Sequence, residues 1–237
     1  MTVENARPHS MENYLKIFIF SDKISCIISD EDKKASLKYD LNISIDDKTD
    51  VSALENFFHQ PEFNILSDNV DIYIENSVYQ LIPSELFKEK DADKIFEIIF
   101  GKALHEQIKY RVLPKWNTHL VYRLPEKIAD FFAERYPEAD MQHHTFDLLK
   151  KFIKRTQDAV YLNVRKNAVD LALVKEGKLQ LMSAFEVKTA EDICYFTLNV
   201  YEQFQLNTET FNLKIYPTNT ETKHVSDLLQ QYVLMKD

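Results

Sequence analysis

One order of strand and helix segments is written twice along this 237-residue chain, and that repetition restricts the possible folds more than any feature of composition. In the last third, Val160, Leu162 and Val164 alternate with Tyr161 and Asn163, which is the period of a strand. A second strand over 169–174 sets Val169, Leu171 and Leu173 on one face. The turn Lys175-Glu-Gly-Lys178, in which Gly177 suits positive φ, leads into a third strand bearing Leu179, Leu181, Phe185 and Val187. Thr189 is placed to cap a helix, with Glu191 and Asp192 complementing the dipole of its first turn. Ile193, Phe196, Val200 and Phe204 keep helical spacing, and Cys194, Leu198 and Tyr201 widen the apolar stripe, so cover on two sides is expected. Phe211, Leu213 and Ile215 then form a fourth strand, parallel by the right-handed crossover rule. A last amphipathic helix carries Val225, Leu228, Leu229, Tyr232 and Val233.

The first half starts in the same way. Leu15, Ile17 and Ile19 mark one strand, Ile24, Cys26 and Ile28 a second, and Leu37, Tyr39, Leu41 and Ile43 a third. A helix with Val51, Leu54, Phe57 and Phe58 and a strand with Val70, Ile72 and Ile74 complete βββαβ, offset from its counterpart by roughly 140 to 147 positions. Between the copies, 78–82 continues as strand, 93–104 is expected to be a helix, and 108–112 and 119–123 two more strands. A helix is expected from Pro125 to Tyr136, with Ile128, Phe131 and Phe132 on one face, and Thr145 is placed to cap another bearing Phe146, Leu149, Phe152 and Ile153.

Three antiparallel strands, a crossover helix and a parallel strand are the ribonuclease-H-like plan, and two copies in tandem make the actin-like ATPase plan. The fold class expected is therefore α/β with two lobes. Residues 1–13 would be a loose tail, 14–157 the first lobe with an insertion near 78–124, and 158–237 the second lobe. At Val78-Tyr-Gln-Leu-Ile-Pro83, at Phe185-Glu-Val-Lys-Thr-Ala-Glu-Asp192, at Tyr195 and at Val200-Tyr-Glu-Gln203, the chain resembles a Bacteroidetes family known as domain of unknown function 3822. The resemblance runs from Tyr14 onward. It implies an actin-like ATPase fold, related in outline to cytoplasmic actin-fold components of pilus and secretion machines, and no established activity.

The chemistry of that plan makes specific demands. An actin-type ATPase holds nucleotide between its lobes, and the first hairpin of each lobe carries an Asp-x-Gly tip whose amides approach phosphate. Here the tips are Phe20-Ser-Asp-Lys-Ile24 and Val164-Arg-Lys-Asn-Ala168, and the whole chain has only two glycines. A Cβ at every tip position screens the amides, so neither ATP hydrolysis nor a bound nucleotide is expected. Asp22 echoes the acidic position, although an Asp in a turn commonly serves local hydrogen bonding. Asp22 and Lys23 in one tip, with Arg165 and Lys166 in the other, are the candidate cleft residues for an anion or a protein partner. Against that role, charged hairpin tips are common, and Lys150, Lys151, Lys154 and Arg155 just upstream suit a helix C-terminus.

Other chemistries fail on particular residues. A ribonuclease-H-type nuclease needs metal-binding carboxylates on its first strand, where this chain is expected to expose Tyr14, Lys16, Phe18 and Phe20, or Tyr161 and Asn163. His105-Glu106 begins a zinc-binding helix motif, but Lys109 stands where the second histidine belongs. His143 and His144 are sequence neighbours that point apart in most settings, so a solvated loop or a cap before Thr145 is expected instead of a metal site. No catalytic residue, metal or cofactor is therefore assigned. Cys26 and Cys194 stand far apart in apolar surroundings, as buried free thiols of a reducing compartment do. The first residues lack the apolar core of a signal peptide, and no apolar run approaches the roughly 20 residues of a membrane span. A net charge of −9 argues against general nucleic-acid binding. The expectation is a cytoplasmic, non-catalytic interaction or scaffold protein with a protein partner, with Trp116 as a possible anchor. The alternative is a nucleotide-binding ATPase or small-molecule kinase that uses Arg165 and Lys166 in place of tip amides.

Overall fold

A computed structural model describes residues 13–30, 36–46, 48–66, 69–102, 104–217 and 222–235. Apart from Asn13, the expected tail lies outside the described residues. By contact the chain divides into two units, one of Met1–Glu75, Leu104–Gln107 and Leu124–His143, the other of Asn76–Ala103, Ile108–Arg123 and His144–Asp237. These units are discontinuous in sequence, whereas the lobes expected from element order are continuous. Most of the 78–124 segment groups with the second unit.

In the first unit, β1 (Tyr14–Ile19), β2 (Lys23–Ser29) and β3 (Ser36–Asn42) are an antiparallel meander, and β4 (Val70–Ile74) lies parallel to β1. The strand period buries Leu15, Ile17 and Ile19 on one face, with Ile17 opposite Cys26. A fifth strand, β8 (Asp140–His143), pairs parallel with β4 and completes the order β3-β2-β1-β4-β8. Its sequence, Asp-Met-Gln-His, has no apolar alternation, and for that reason no strand was expected there. Helix α1 (Val51–Phe58) begins at Asp50, whose carboxylate accepts the Ser52 amide at 3.0 Å. It delivers Phe58 into an aromatic cluster with Phe63, Phe131, Phe132 and Tyr136, all within 6.4 Å ring to ring. Phe131, Phe132 and the neighbouring Arg135 come from α3 (Glu126–Arg135), within the expected bounds, and Tyr136 follows directly. Arg135 donates to the Phe58 carbonyl at the end of α1, and the Tyr136 hydroxyl donates to the Phe63 carbonyl at 2.8 Å.

The second unit repeats the plan. Strands β9 (Ala159–Val164), β10 (Ala168–Lys175), β11 (Lys178–Glu186) and β12 (Leu213–Tyr216) form a sheet in the order β11-β10-β9-β12, with only β12 parallel to β9. Gly177 has the positive φ, 66°, that its turn requires. Between β11 and β12, α5 (Ala190–Gln203) opens with the expected Thr189 cap, reciprocated by Asp192 to the Thr189 amide at 3.0 Å. Its Ile193, Cys194, Val200 and Tyr201 share one apolar core with Val160, Leu162, Leu171, Leu173 and, from α6 (Lys223–Leu229), Val225 and Leu229.

This unit also holds β5 (Tyr79–Pro83) and most of β6 (Glu106–Leu113) and β7 (Thr118–Pro125), which form a three-stranded sheet in the order β5-β7-β6. Helix α2 (Ala92–Phe100) packs Phe96 on Ile82 and Val121 and stops at Gly101, φ 77°, short of the expected Leu104. The helix expected from Thr145 is instead one turn, α4 (His144–Asp147), that widens into a π-helical turn over Leu148–Phe152, closed by the Ile153 amide on the Leu148 carbonyl at 3.0 Å. Lys115 Nζ donates to the Ile153 carbonyl at 3.1 Å and Trp116 Nε1 to the Leu149 carbonyl at 3.4 Å, which satisfies acceptors that a regular helix end leaves open.

The aromatic cluster gives a direct test. Phe58→Ala removes a side chain with no exposed surface, so urea denaturation should show the first unit losing about 3–5 kcal/mol. A loss below about 1 kcal/mol would mean that the neighbouring rings close over the gap.

Candidate functional site

The two hairpin tips hold the residues singled out from the sequence. In the first, the Phe20 amide donates to the Lys23 carbonyl at 2.9 Å, and the chain leaving β3 returns to it: the Ile45 amide reaches the Ser21 carbonyl at 2.9 Å and the Ile43 amide the Asp22 carbonyl at 3.2 Å. Asp22 is exposed, and the Lys23 ammonium lies 5.1 Å from the Phe20 ring centroid. The second tip repeats this bonding. There the Arg165 amide donates to the Ala168 carbonyl at 2.8 Å, and the Val187 amide, leaving β11, reaches the Asn167 carbonyl at 3.0 Å. Among the described residues, positive φ occurs at Gly101, His105, Asn117, Glu176, Gly177 and Gln205, none of which is in either tip.

Lys166 is exposed, but Arg165 turns back into its own unit. Its Nε donates to Asp170 Oδ2 at 2.9 Å and its Nη2 to Asp170 Oδ1 at 3.0 Å, a bidentate pair, and Nη2 also reaches Ser77 Oγ at 3.0 Å. Asp170 Oδ2 further accepts from Asn163 Nδ2 at 2.8 Å and faces His144 Nε2 at 2.8 Å, and Oδ1 accepts from the Tyr79 hydroxyl at 3.1 Å. Five donor contacts thus fill the two oxygens. The side chains are 0% exposed for Asp170, 9% for Arg165 and 13% for His144.

Burial by itself would raise the Asp170 carboxyl. The charges and hydrogen bonds of His144 and Arg165, with the Asn163 amide, outweigh it and hold the group well below the ordinary carboxylate range. Because Asp170 stays ionised, His144 Nε2 must carry the proton between them. Tyr79 shifts the opposite way: burial first, then the Asp170 charge, keep its phenol protonated and a donor. With its lone pairs filled, Asp170 has no capacity to accept a substrate proton, and its chemistry is that of an anchor.

Asp22, Lys23 and Lys166 keep the tip positions expected of them, while Asp170, His144, Tyr79 and Ser77 were not foreseen. One signal for the cluster was present: Asp170 is the sole charge in Ala168-Val-Asp-Leu-Ala-Leu-Val174, and hairpin register sets it opposite Asn163. Two readings are corrected. Tyr161, expected exposed, is 2% exposed because both faces of β9 are covered, and its hydroxyl donates to the Gln157 carbonyl at 3.0 Å. The His143-His144 pair is not a solvated loop, since His143 ends β8 fully buried and His144 binds Asp170. Cys26 and Cys194 are both buried and unpaired with each other, and burial raises both thiols, Cys26 to about 12. Among the described residues, no group of three or more His, Cys, Asp and Glu could hold a metal ion, and no helix is long and apolar enough to cross a membrane.

Asp170→Asn should remove about 3–5 kcal/mol at pH 7, because Arg165 is left buried without its counter-charge. A depressed carboxylate lends stability that is complete above its unfolded value, near 3.9, and is lost as pH falls toward the folded value. Below about pH 4 the parent should therefore lose stability more steeply than the variant, followed by denaturant midpoints between pH 7 and 2. Parallel acid limbs for the two proteins would refute this account of Asp170.

Comparison with known proteins places this geometry. Residues 4–234 match the family described as "Protein of unknown function (DUF3822)". A Bacteroides thetaiotaomicron VPI-5482 protein with an actin-like ATPase fold and unknown function superposes with a TM-score of 0.76 and 26% identity, over 95% of this chain and 90% of that one. The ethanolamine utilization protein EutJ from Carboxydothermus hydrogenoformans aligns at 0.48 with 9% identity, over 97% and 86% of the two chains. An inorganic polyphosphate/ATP-glucomannokinase from Arthrobacter sp. strain KM aligns at 0.44 with 10% identity, over 94% and 91%. No curated protein matches the chain. With its doubled sheet plan and a family match across nearly its whole length, the chain has an actin-like ATPase fold and belongs to the DUF3822 family.

Proposed function

We propose that this chain is a non-catalytic, cytoplasmic interaction protein in which the actin-like fold serves as scaffold and not as nucleotide clamp. The observation that carries this reading is the direction of Arg165. The cation at the tip of the second hairpin is held on both carboxylate oxygens of Asp170 and on Ser77, inside its own unit. An arginine that stands in for missing phosphate-binding amides would need its donors directed outward, toward the γ- or β-phosphate.

The tips support the same reading. A backbone cradle for phosphate needs consecutive amides with no Cβ in the way, and commonly a left-handed residue to aim them. Neither tip contains glycine and neither adopts positive φ, so the residues present do not fit a nucleotide phosphate. No step of chemistry is assigned, and no cofactor. Asp22, Lys23 and Lys166 remain proposed contacts for a protein partner or an anion, because they keep charge at exposed or half-exposed tip positions.

Ligand-dependent melting separates this reading from an ATPase or small-molecule kinase. A nucleotide present at about 100 times its dissociation constant adds roughly 2.7 kcal/mol to the folded state. Melting curves with Mg-ATP, Mg-ADP and Mg-GTP in the millimolar range are expected to overlay the ligand-free curve. A reproducible rise that disappears in Lys166→Ala, at an exposed tip position, would establish the nucleotide-dependent alternative instead.

A further inference from the structure

Among the described strands, β6 has a neighbour on one side only. In the order β5-β7-β6 it is an outer strand, and no other described strand is hydrogen-bonded to it. An outer strand presents backbone N–H and C=O groups that a further strand can pair with, and folds blunt such edges with proline, bulges, inward charges or edge lysines that repel another basic strand. Between Glu106 and Leu113, β6 has no proline, and its Lys109 and Arg111 would repel a second basic strand but not an acidic one.

Its two faces differ in chemistry. Strand alternation sets Lys109 and Arg111 on one face and Tyr110 and Val112 on the other. Tyr110 is 40% and Val112 47% exposed, and Lys109 is exposed as well. Two of these side chains are already positioned: the Arg111 guanidinium lies 4.8 Å from the Phe146 ring centroid, and the Tyr110 ring sits 5.0 Å from Phe87 with its hydroxyl bonded to Glu89. Ordering them beforehand lowers the entropy cost of a docked partner.

The local charge selects among partners. From 108 to 123 the sequence has Lys109, Arg111, Lys115 and Arg123 and no carboxylate. The second unit as a whole carries 20 Lys and Arg against 17 Asp and Glu, whereas the first carries 9 against 21. We propose that the outer edge of β6 takes an extended acidic segment of a partner protein as an added strand. Its carboxylates would lie across from Lys109 and Arg111 and its apolar side chains across from Tyr110 and Val112. A nucleic acid could meet the cations but has no N–H and C=O ladder to pair with the edge. This inference rests on the interaction-protein reading and supplies the chemistry of the partner.

The test uses the full chain and a fluorescent peptide of about ten residues that alternates glutamate and valine, with a lysine-for-glutamate twin as control. Anisotropy should show the acidic peptide bound at least about tenfold more tightly than its twin, and amide exchange at 109–112 should slow on binding. Lys109→Glu, at an exposed position and with an unchanged melting temperature, should bring the two peptides to within about threefold of each other. Equal binding of both peptides by the parent, no binding, or a single-stranded oligonucleotide bound equally well without slowed exchange would each overturn the proposal. A melting shift with Mg-ATP would instead refute the non-catalytic reading and leave the peptide result as it stands, so the two failures are distinct.

Discussion

A carboxylate with no exposed surface can stay charged only if its surroundings return what water would have supplied, and the second unit is arranged to do this for Asp170. Donors come from separate places along the chain: Tyr79 on β5, His144 at the start of α4, Asn163 on β9 and Arg165 in the hairpin tip, with Ser77 holding the far side of the guanidinium. Such a cluster adds little net stability over an apolar core of equal volume, since desolvation offsets most of the Coulomb gain. It does penalise alternatives strongly, because a one-residue slip of β10 against β9 would send Asp170 to the opposite face and bury Arg165 alone. The apolar strand Ala168–Val174 has little else to define its register, being buried along its whole length. The single charge therefore specifies which of several similar pairings forms.

The same cluster sets the direction of Arg165 at the hairpin tip. In an actin-like fold the tip positions are where backbone would meet phosphate. Here the backbone carbonyls of both tips receive amides from the chain that leaves the third strand, and in the second tip Arg165 is held inward while Lys166 is exposed.

Much of the architecture could be read directly because it rests on local periodicity. The alternation in Leu15–Ile19 and Val160–Val164, the Thr189 cap and the turn at Gly177 are each decided by a few neighbouring residues, and each occurs in the structure. What could not be read depends on distant partners. Strand β8 is polar and is a strand only because β4 supplies its ladder, and the π-helical turn after Asp147 exists because Lys115 and Trp116 cap its carbonyls from 33 or more residues away. Tyr161 seemed outward-facing because a sheet covered on both faces departs from simple alternation. At the site, the sequence places Arg165 at the hairpin tip, while its direction is set by Asp170. In the sequence that aspartate is marked only as a lone charge within an apolar run, and its partners lie as far as 91 residues away.

The span between Tyr79 and Asp170 also bears on biosynthesis. The two are 91 residues apart, so at ribosomal speeds of about 5–20 residues per second strand β5 emerges roughly 5–18 s before the aspartate that its tyrosine must meet. Through that interval the nascent chain carries the unmatched phenol and the apolar strand around it without their eventual cover. Chaperone occupancy on the translating ribosome should therefore be greatest over this window and should fall once the β9–β10 hairpin has cleared the exit tunnel.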